Sequence, residues 1–349
     1  MEKIIESRTM PVRPRLTSAV ADARRAVRES LQILNLHKGE LVLAAVSGGG
    51  DSVALAAALA FEAPRMGLAG GAVIVDHGLQ SGSEDIAHQA KLTCEGLGLH
   101  PVLVVKVEVK PNGEGLEAAA RAARYQAIER VRISEGAAAV LTGHNLEDQA
   151  ETVLLGLARG SGLTSISGME SFDPARNLLR PFLGLSRSDL RTACRDQGLN
   201  FWEDPHNQDP KFLRVRARNL LATLEQELGP GFASALARTA GMAAEADEVI
   251  TALAGELTAS AKLSATAKSV AYQVSKFAEA PRAVRTKALH LIATAAGAGG
   301  ATQAQIQQVE ELITNWHGQK PASLSGITVE RVKDQLIFTK TKPQNPGAC

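Results

Sequence analysis

Short apolar runs alternate with longer helical patterns from about residue 41 onward. Continuous apolar runs that end at turn residues are typical of strands buried on both faces of a sheet. Alanine- and leucine-rich stretches between such runs favour helices. The predicted strands are Leu41–Val46, Gly71–Val75, Pro101–Val107 and Ala137–Leu141. The predicted helices are Asp51–Phe61, Asp85–Leu97, Leu116–Ile133 and one from about Leu146.

This order of elements predicts the fold class. Strands that alternate with helices form parallel βαβ units, so we expect an α/β fold with a doubly wound, mostly parallel sheet. The alternation stops beyond Phe182, where helices are predicted at Ser186–Gln197, with Ser186 as N-cap, and from about Phe212 to Leu228.

A strong break follows these helices. Gly229-Pro230-Gly231 combines two residue types that end regular structure, and we place a domain boundary there. Residues 1–228, with an N-terminal helix, are expected to form the larger domain. Residues 229–349 are expected to form a smaller, mainly helical domain that ends in short strands near Ala322–Val329 and Gln335–Thr339.

A glycine-rich segment follows the first predicted strand and opens a helix. It reads Ser47-Gly48-Gly49-Gly50-Asp51-Ser52. Glycines let a backbone approach a phosphate closely, and a helix start offers unpaired N–H groups. The segment lacks the lysine of a Walker A loop and the glycine spacing of a dinucleotide-binding loop. We interpret it as a phosphate-binding loop of another kind, with a turn that binds no ligand as the alternative.

Ionisable residues follow the second and fourth predicted strands. Asp76 and His77 end the second strand, and His144, Asp148 and Glu151 follow the fourth. The two acids of the later group are three residues apart and share a helix face. Because open α/β sheets bind ligands at the carboxyl ends of their strands, we expect these residues beside the glycine-rich loop. Ordinary strand-end and helix-start chemistry is the alternative.

A turn-rich loop, Trp202–Pro210, leads into a basic helix start that carries Arg214, Arg216 and Arg218. Taken alone, this pattern favours a structural loop followed by the solvated face of an amphipathic helix. A contact with RNA phosphates is the alternative reading of the arginines.

Composition restricts the function further. With 45% hydrophobic residues the chain supports real cores, and a net charge of +1 means that nucleic-acid binding must rest on local clusters. The cysteines Cys94, Cys194 and Cys349 lie far apart, which argues against a disulfide framework, a zinc site and cysteine-based sulfur transfer. The first residues are charged and no long apolar stretch follows, so we expect a cytoplasmic protein without a membrane span.

Several of these motifs together resemble a known enzyme family. The segment Ser-Gly-Gly-Gly-Asp-Ser resembles the PP-loop of ATP pyrophosphatases, and Gly143–Thr152 resembles a segment of PP-loop tRNA-modifying enzymes. The loop Asp204-Pro205-His206-Asn207, followed by the three arginines, is similar to that of the tRNA(Ile)-lysidine synthases. Arg121 and Arg124, inside a predicted helix, also match that family.

The resemblance implies a two-step reaction. The C2 oxygen of the wobble cytidine in a CAU anticodon attacks the α-phosphate of ATP, and the ε-amine of free L-lysine then displaces AMP to give lysidine. The implied cofactors are ATP and Mg²⁺, and the implied partner is tRNA(Ile). The sequence does not set the oligomeric state, so a homodimer stays an open alternative to a monomer.

The resemblance also implies roles for individual residues. Asp51, His144, Asp148 and Glu151 are the expected catalytic residues, and Asp51 is the expected metal ligand. The expected ATP-binding residues are Ser47, Gly48, Gly49, Gly50, Asp51, Ser52, Asp76, His77 and Gly143. The expected tRNA- or lysine-binding residues are Arg121, Arg124, Asp204, Asn207, Arg214, Arg216 and Arg218.

Two other functions are weighed against this one. A related tRNA thiolase uses the same nucleotide chemistry, but such enzymes usually need paired or catalytic cysteines. A catalytically silent RNA- or nucleotide-binding module is the second alternative, and it has little need for Asp51, Asp148 and Glu151 together.

Overall fold

The structure is a computed structural model that describes residues 16–78, 82–108, 116–160, 162–203, 211, 213–298 and 300–341. The chain forms two compact units. The first comprises Met1–Ala158 and Gly168–Thr239, and the second comprises Arg159–Ser167 and Ala240–Cys349. This division falls at residue 239, inside a helix that spans Phe232–Ala261, whereas the sequence break lies at residues 229–231.

The first unit is built on one twisted sheet. Its strands are β1 Leu41–Val46, β2 Ala69–Asp76, β3 Val102–Lys106, β4 Ala139–Thr142, β5 Phe172–Asp173 and β6 Leu178–Leu179. Among the described residues the strand order is β3-β2-β1-β4-β6-β5, and every neighbouring pair is parallel except β5 with β6. The predicted α/β fold with a mostly parallel sheet is confirmed.

Helices pack on both faces of this sheet, with α2 and α3 on one face and α4 on the other. The helices between residues 18 and 261 are α1 Ser18–Gln32, α2 Gly50–Arg65, α3 Ser83–Gly96, α4 Leu116–Ser134, α5 Leu146–Arg159, α6 Leu163–Ile166, α7 Arg187–Asp196, α8 Leu213–Leu228 and α9 Phe232–Ala261. Of these, α6 lies wholly in the second unit and α9 continues into it. Ser186 caps α7 as predicted, its hydroxyl accepting a hydrogen bond from the Asp189 N–H.

Alternate residues of the strands point to opposite faces of the sheet and belong to two hydrophobic cores. Val42, Ala44 and Val46 face a core that includes residues of α1, α2, α3 and α7. Leu43 and Val73 face the opposite side, where α4 packs. Both faces of β1 are therefore covered, which explains why its sequence is continuously apolar. Helix α1 buries Val27 and Leu31 completely against the first core, and each such burial stabilises the fold by about 1.5–3 kcal/mol.

The second unit contains a sheet that the sequence only partly predicts. Its further elements are β7 Lys262–Ala265, β8 Ser269–Gln273, α10 Val274–Glu279, α11 Arg282–Ala296, α12 Gln303–Thr314, β9 Ala322–Leu324, β10 Ile327–Val332 and β11 Gln335–Lys340. The described strands pair in the antiparallel order β7-β8-β11-β10-β9.

Two expectations about these strands were wrong. The stretch Ala322–Val329, expected to be one strand, is a hairpin that turns at Ser325 and at Gly326, whose φ is +75°. Strands β7 and β8 were not predicted, because the exposed residues of β7 show no apolar alternation. The hydrophobic core of this unit lies between the sheet and helices that include α11 and α12.

None of the described helices is both long enough and apolar enough to cross a bilayer.

Candidate functional site

The glycine-rich loop leaves β1 and starts α2, as predicted. Ser52 Oγ accepts a hydrogen bond from the Ser47 N–H at 3.1 Å and lies 2.8 Å from the Gly49 carbonyl oxygen, to which it donates. Gly48 has φ +85°, a conformation that favours glycine. Helix α2 has Gly49 as N-cap and no side-chain cap, so its first N–H groups are available to an anion.

Neighbouring segments hold this loop in place. The Trp202 N–H donates to the Gly48 carbonyl oxygen at 2.9 Å, which pairs the first residue of the turn-rich loop with the phosphate-binding loop. A Cβ atom on Gly143 would lie 3.0 Å from the Asp51 carbonyl oxygen. Gly143 is therefore explained by the close approach of the β4 end to the start of α2, which puts the two predicted segments side by side.

Asn145 links the loop to the acids of α5. Its amide Nδ2 donates to Asp51 Oδ2 at 2.8 Å, and its Oδ1 accepts from the Asp148 N–H at 2.9 Å. In return, Asp148 Oδ2 accepts from the Asn145 N–H at 3.1 Å. Asn145 is completely buried. Asn145, which the sequence analysis does not single out, therefore joins Asp51 to Asp148.

Two arginines complete a charged cluster around these acids. Arg187 places Nε 3.5 Å from Asp51 Oδ2 and Nη2 3.3 Å from Asp148 Oδ1. Arg218 donates from Nε to Glu151 Oε1 at 2.7 Å and approaches Asp148 at 3.8 Å. We call Asp51, Glu147, Asp148, Glu151, Arg187 and Arg218 the carboxylate cluster; Glu147 joins it by accepting from the Arg187 N–H at 3.0 Å.

The carboxylate cluster contains four acids and two arginines, so as a group it favours additional positive charge. Burial is the main cause that raises the pKa of Asp51 to about 6, with Arg187 opposing the shift. Burial also raises the pKa of Glu151, whose side chain is fully buried, and Arg218 opposes that shift. Asp51 Oδ1 and Glu151 Oε2 are buried without a hydrogen-bond partner in the described structure. These two oxygens can accept a cation or a donor.

His144 lies next to this cluster and is neutral at pH 7. Its Nδ1 is 2.9 Å from Thr142 Oγ1, and Thr142 in turn lies 3.4 Å from the Leu179 carbonyl oxygen. If the hydroxyl donates to that carbonyl, it accepts from Nδ1–H, which leaves the lone pair on Nε2. Burial lowers the pKa of His144 to about 3, Asp148 opposes the shift, and Arg121, Arg180 and Arg214 reinforce it.

A group of arginines that acts on His144 forms a basic region. We call Arg121, Arg124, Arg180 and Arg214 the arginine cluster. Arg121 donates from Nη2 to Tyr125 Oη at 3.2 Å, and Arg124 donates from Nε to His77 Nε2 at 3.1 Å. Arg180, which the sequence does not single out, is 8% exposed and lies 4.0 Å from Asp173.

The other predicted site residues differ in burial, and two of them lie outside the described residues. Asp76 is buried, and its Oδ1 accepts from the Gly78 N–H at 3.0 Å. Arg216 is exposed to solvent on α8. Asp204 and Asn207 lie outside the described residues. The structure thus brings Arg218 to the acids and not to the arginine cluster, although the sequence groups it with Arg214 and Arg216.

Sequence reasoning missed Arg187, Arg180 and Trp202. Arg187 is the first residue of α7, directly after a serine cap, and this position gives no chemical signal by itself. Its importance depends on where α7 packs. Trp202 contributes through its backbone N–H, so its residue type carries no signal for that contact.

The described cysteines are not placed for catalysis or metal binding. Cys94 and Cys194 are buried, and burial raises the pKa of each thiol to about 12. Within the described ranges no group of three or more His, Cys, Asp or Glu side chains is arranged to hold a metal ion. A divalent cation would therefore need ligand oxygens in addition to those of the described residues.

Comparisons with known proteins agree with this geometry. Residues 23–225 match the PP-loop domain family, and residues 273–337 match the TilS substrate binding domain. A tRNA(Ile)-lysidine synthase from Leifsonia xyli subsp. xyli is 49% identical over 87% of this chain and 91% of its own length. The enzyme of the same name from Thermobifida fusca is 45% identical over 91% of this chain and 97% of its own length.

A solved structure shares the fold. The U34-tRNA thiolase NcsA from Methanococcus maripaludis, with its [4Fe-4S] cluster, superimposes with a TM-score of 0.53 at 20% identity, over 64% of this chain and 78% of that one. This likeness supports the PP-loop fold alone. The match to the two family domains and the identity to full-length relatives go further, and they show that this chain belongs to the tRNA(Ile)-lysidine synthase family.

Proposed function

We propose that this chain uses ATP to ligate lysine to the C2 position of the wobble cytidine in the CAU anticodon of tRNA(Ile). Family membership supports the use of ATP and a tRNA(Ile) substrate. The observation that carries the proposal is the hydrogen-bonded chain from Asp51 through Asn145 to Asp148. It joins a phosphate-binding loop to a cluster of acids at one edge of the sheet, so ATP and an amine can be held together.

In the first step the cytidine O2 attacks the α-phosphate of ATP and pyrophosphate leaves. The uncapped start of α2, with Ser47 and Ser52, is suited to hold the phosphates. The unpartnered Asp51 Oδ1 fits a Mg²⁺ ion that takes its remaining ligands from phosphate and water oxygens. Such an ion would neutralise charge on the departing pyrophosphate. The product of this step is an adenylated tRNA.

In the second step lysine attacks C2 and displaces AMP. Free lysine arrives protonated, with an ε-amine pKa of about 10.4, and must lose a proton before it can attack. We assign Asp148 and Glu151 to hold and deprotonate the ammonium. Two observations support this assignment: the excess of acids over arginines in the carboxylate cluster, and the unpartnered Glu151 Oε2.

His144 is assigned to assist the reaction from the junction of the two clusters. In the tautomer described above it offers a lone pair at Nε2 and not an N–H, so it suits proton transfer better than phosphate binding in the unliganded state. Burial is the main cause that lowers the pKa of His144, and the positive field of the arginines adds to it; a phosphate bound among the arginines would offset that added part. Phosphate binding would therefore make His144 a stronger base.

The tRNA is assigned to the arginines and to the second unit. Arg121, Arg214 and Arg216 are suited to phosphate contacts, and the match to a substrate binding domain supports a role for residues 273–337 of the second unit in holding the RNA. Asp76 and His77 are assigned to ATP. We propose a cytoplasmic location, as the sequence leads us to expect. The choice between a monomer and a homodimer stays open.

The proposal is tested by AMP release. Purified protein is incubated with ATP, Mg²⁺, lysine and a CAU-anticodon isoleucine tRNA, and each component is omitted in turn. We expect AMP formation to require the tRNA, and labelled lysine to enter that tRNA. AMP formation that depends on another acceptor would refute the substrate assignment, and no ATP turnover under any combination would favour a silent binding module.

A further inference from the structure

A phenylalanine of α2 carries an arginine on each face of its ring. The guanidinium carbon of Arg24, which belongs to α1, lies 3.5 Å from the centre of the Phe61 ring. The guanidinium carbon of Arg65 lies 3.5 Å from the same centre. Two carbon atoms stacked this closely on one face would overlap, so the two guanidinium groups lie on opposite faces. Their carbons are therefore about 7 Å apart, twice the stacking distance.

Both arginines are also held by hydrogen bonds. Arg65 donates from Nη1 to the Phe61 carbonyl oxygen at 2.9 Å. Arg24 donates from Nη2 to Gln197 Oε1, at the end of α7, at 3.4 Å. The ring faces attract both guanidinium groups by cation–π interactions. The two side chains are ordered before a ligand binds, and this order reduces the entropy that binding costs. We call Arg24, Phe61 and Arg65 the arginine sandwich.

The arginine sandwich lies in a region with excess positive charge. Burial is the main cause that lowers the pKa of Arg24, the charge of Arg65 adds to this shift, and Glu62 opposes it. Glu62 is buried and already pairs with a third arginine, Arg28, at 3.3 Å. Among these four charged side chains three are positive and one is negative. Because Arg24 and Arg65 repel each other, an anion that contacts both is favoured.

The spacing of the two guanidinium groups suits one phosphate. A guanidinium stacked on a ring directs its N–H groups outward in its own plane, beyond the ring edge. Each N–H contacts a phosphate oxygen at about 2.7–2.9 Å, and different oxygens of one phosphate can reach guanidinium groups on both sides of the ring. The two oxygens of a carboxylate lie in one plane and match the fork of a single guanidinium. The arginine sandwich therefore favours a phosphate over a carboxylate.

This phosphate cannot belong to an ATP molecule bound at the glycine-rich loop. Helix α2 starts at Gly50, in that loop, and ends at Arg65 after 16 residues, which is about 24 Å. A tRNA whose anticodon enters the site at the loop extends farther than this. Since the net charge of the chain is only +1, RNA binding must rest on local clusters of this kind.

We propose that Arg24 and Arg65, held on the two faces of Phe61, bind one backbone phosphate of the tRNA outside the anticodon. This inference rests on the proposed function and deepens it, because it locates a second contact with the same substrate. Phe61 is a positioning residue in this contact: it carries no charge and sets the distance between the two guanidinium groups.

Arg25 provides a matched control. It follows Arg24 in α1, is exposed, and pairs with Asp22 one turn earlier in the same helix. Arg25→Gln removes the same charge from the same helix but leaves the arginine sandwich intact. Phe61→Leu has the opposite design, since it keeps every charge and removes the ring that separates the guanidinium groups.

The test measures the affinity of the full-length protein for a CAU-anticodon isoleucine tRNA at several salt concentrations. We expect Arg24→Gln and Arg65→Gln each to weaken binding about tenfold, as for the loss of one charge-assisted hydrogen bond. The double variant should reduce the slope of log affinity against log salt by about one, because the slope counts phosphates and both arginines share one. Phe61→Leu should weaken binding several-fold, and Arg25→Gln should leave the slope unchanged.

Three results would overturn the inference. The first is unchanged tRNA affinity in the double variant. The second is an equal change of slope in Arg25→Gln, which would indicate a diffuse positive field. The third is wild-type affinity in Phe61→Leu, which would show that the ring does not position the arginines. Thermal melts check that the variants fold, and Arg65, exposed at the end of α2, tests the contact even if Arg24→Gln lowers stability.

Lysine incorporation, measured on the same proteins, separates this inference from the proposed function. Lysidine formation by the wild type together with unchanged affinity in the double variant overturns the inference and leaves the proposed function standing. The expected loss of affinity and slope, in a wild type that binds the tRNA but forms no lysidine, supports the phosphate contact and refutes the proposed function.

Discussion

The carboxylate cluster and the arginine cluster act on His144 with charges of opposite sign and are built differently. The acids are held by ion pairs: Asp51, Asp148 and Glu151 each lie within 4.0 Å of Arg187 or Arg218. Arg121 and Arg124 instead donate to neutral partners, a tyrosine hydroxyl and a histidine nitrogen. The first region is suited to cations and amines, the second to phosphates. Their opposite effects on the pKa of His144 show that both fields reach the same atom.

The largest expected effect comes from Asp51→Asn, which removes a charge from the carboxylate cluster at the loop itself. We expect a loss of AMP release of about 10²–10³-fold or more, because the cation beside the phosphates loses its protein ligand. Since burial raises the pKa of Asp51 in the folded protein, its ionisation opposes folding near pH 7. The variant should therefore have a higher melting temperature than the wild type. Activity and thermal melts measured together check both statements.

A smaller effect is expected from Glu151→Gln. The amide keeps an acceptor for Arg218 but removes the charge that attracts an ammonium. We expect kcat/KM for lysine to fall by about 10²-fold while the KM for ATP is unchanged. An equal loss for ATP and lysine would show that Glu151 supports the whole site and does not serve the amine in particular.

The pH dependence of the reaction tests the carboxylate cluster without a mutation. Asp51 must be ionised to hold a cation, and its folded-state pKa is raised to about 6. We expect kcat/KM for ATP to fall as the pH drops through about 6, whereas an unperturbed aspartate would stay ionised to about pH 4. The same shift makes the free energy of unfolding decrease as the pH rises from about 4 to about 6. A rate profile that is flat down to pH 4.5 would contradict the role of Asp51.

The smallest effect is expected on the basic side, from Arg216→Gln. Arg216 is exposed on α8, so its removal should leave the fold intact. We expect tRNA affinity to fall a few-fold, with the slope of log affinity against log salt reduced by about one. Arg130→Gln, which removes an exposed arginine of α4, is the control and should leave the slope unchanged. Equal slopes for both variants would remove Arg216 from the RNA contacts.

The two clusters also differ in how far the sequence predicts them. The strands and the loop at Ser47–Ser52 follow from apolar runs and glycine spacing, both of which are local patterns. The acids Asp148 and Glu151 follow from helix periodicity. Their pairing with Arg187 and Arg218 does not, because these arginines are 39 and 67 residues from their partners and meet them only through packing of α7 and α8.

The arginines of α8 also show that local sequence patterns do not predict tertiary contacts. Arg214, Arg216 and Arg218 look equivalent in the sequence, yet Arg216 is exposed and Arg218 binds the buried Glu151. Helix periodicity separates such residues by face, but which face meets the acids depends on tertiary contacts. The missed strands β7 and β8 have the same cause, since pairing with β11 sets their structure more than their own residues do.

The most direct test of this account uses Asp148→Asn, in which the isosteric amide keeps an acceptor for the α5 cap. Adenylation of the tRNA is followed with α-labelled ATP in the absence of lysine, and lysine incorporation is followed separately. We predict that labelled AMP still attaches to the tRNA while lysidine formation is lost. Full lysidine synthesis by this variant would contradict the assignment of the carboxylate cluster to lysine.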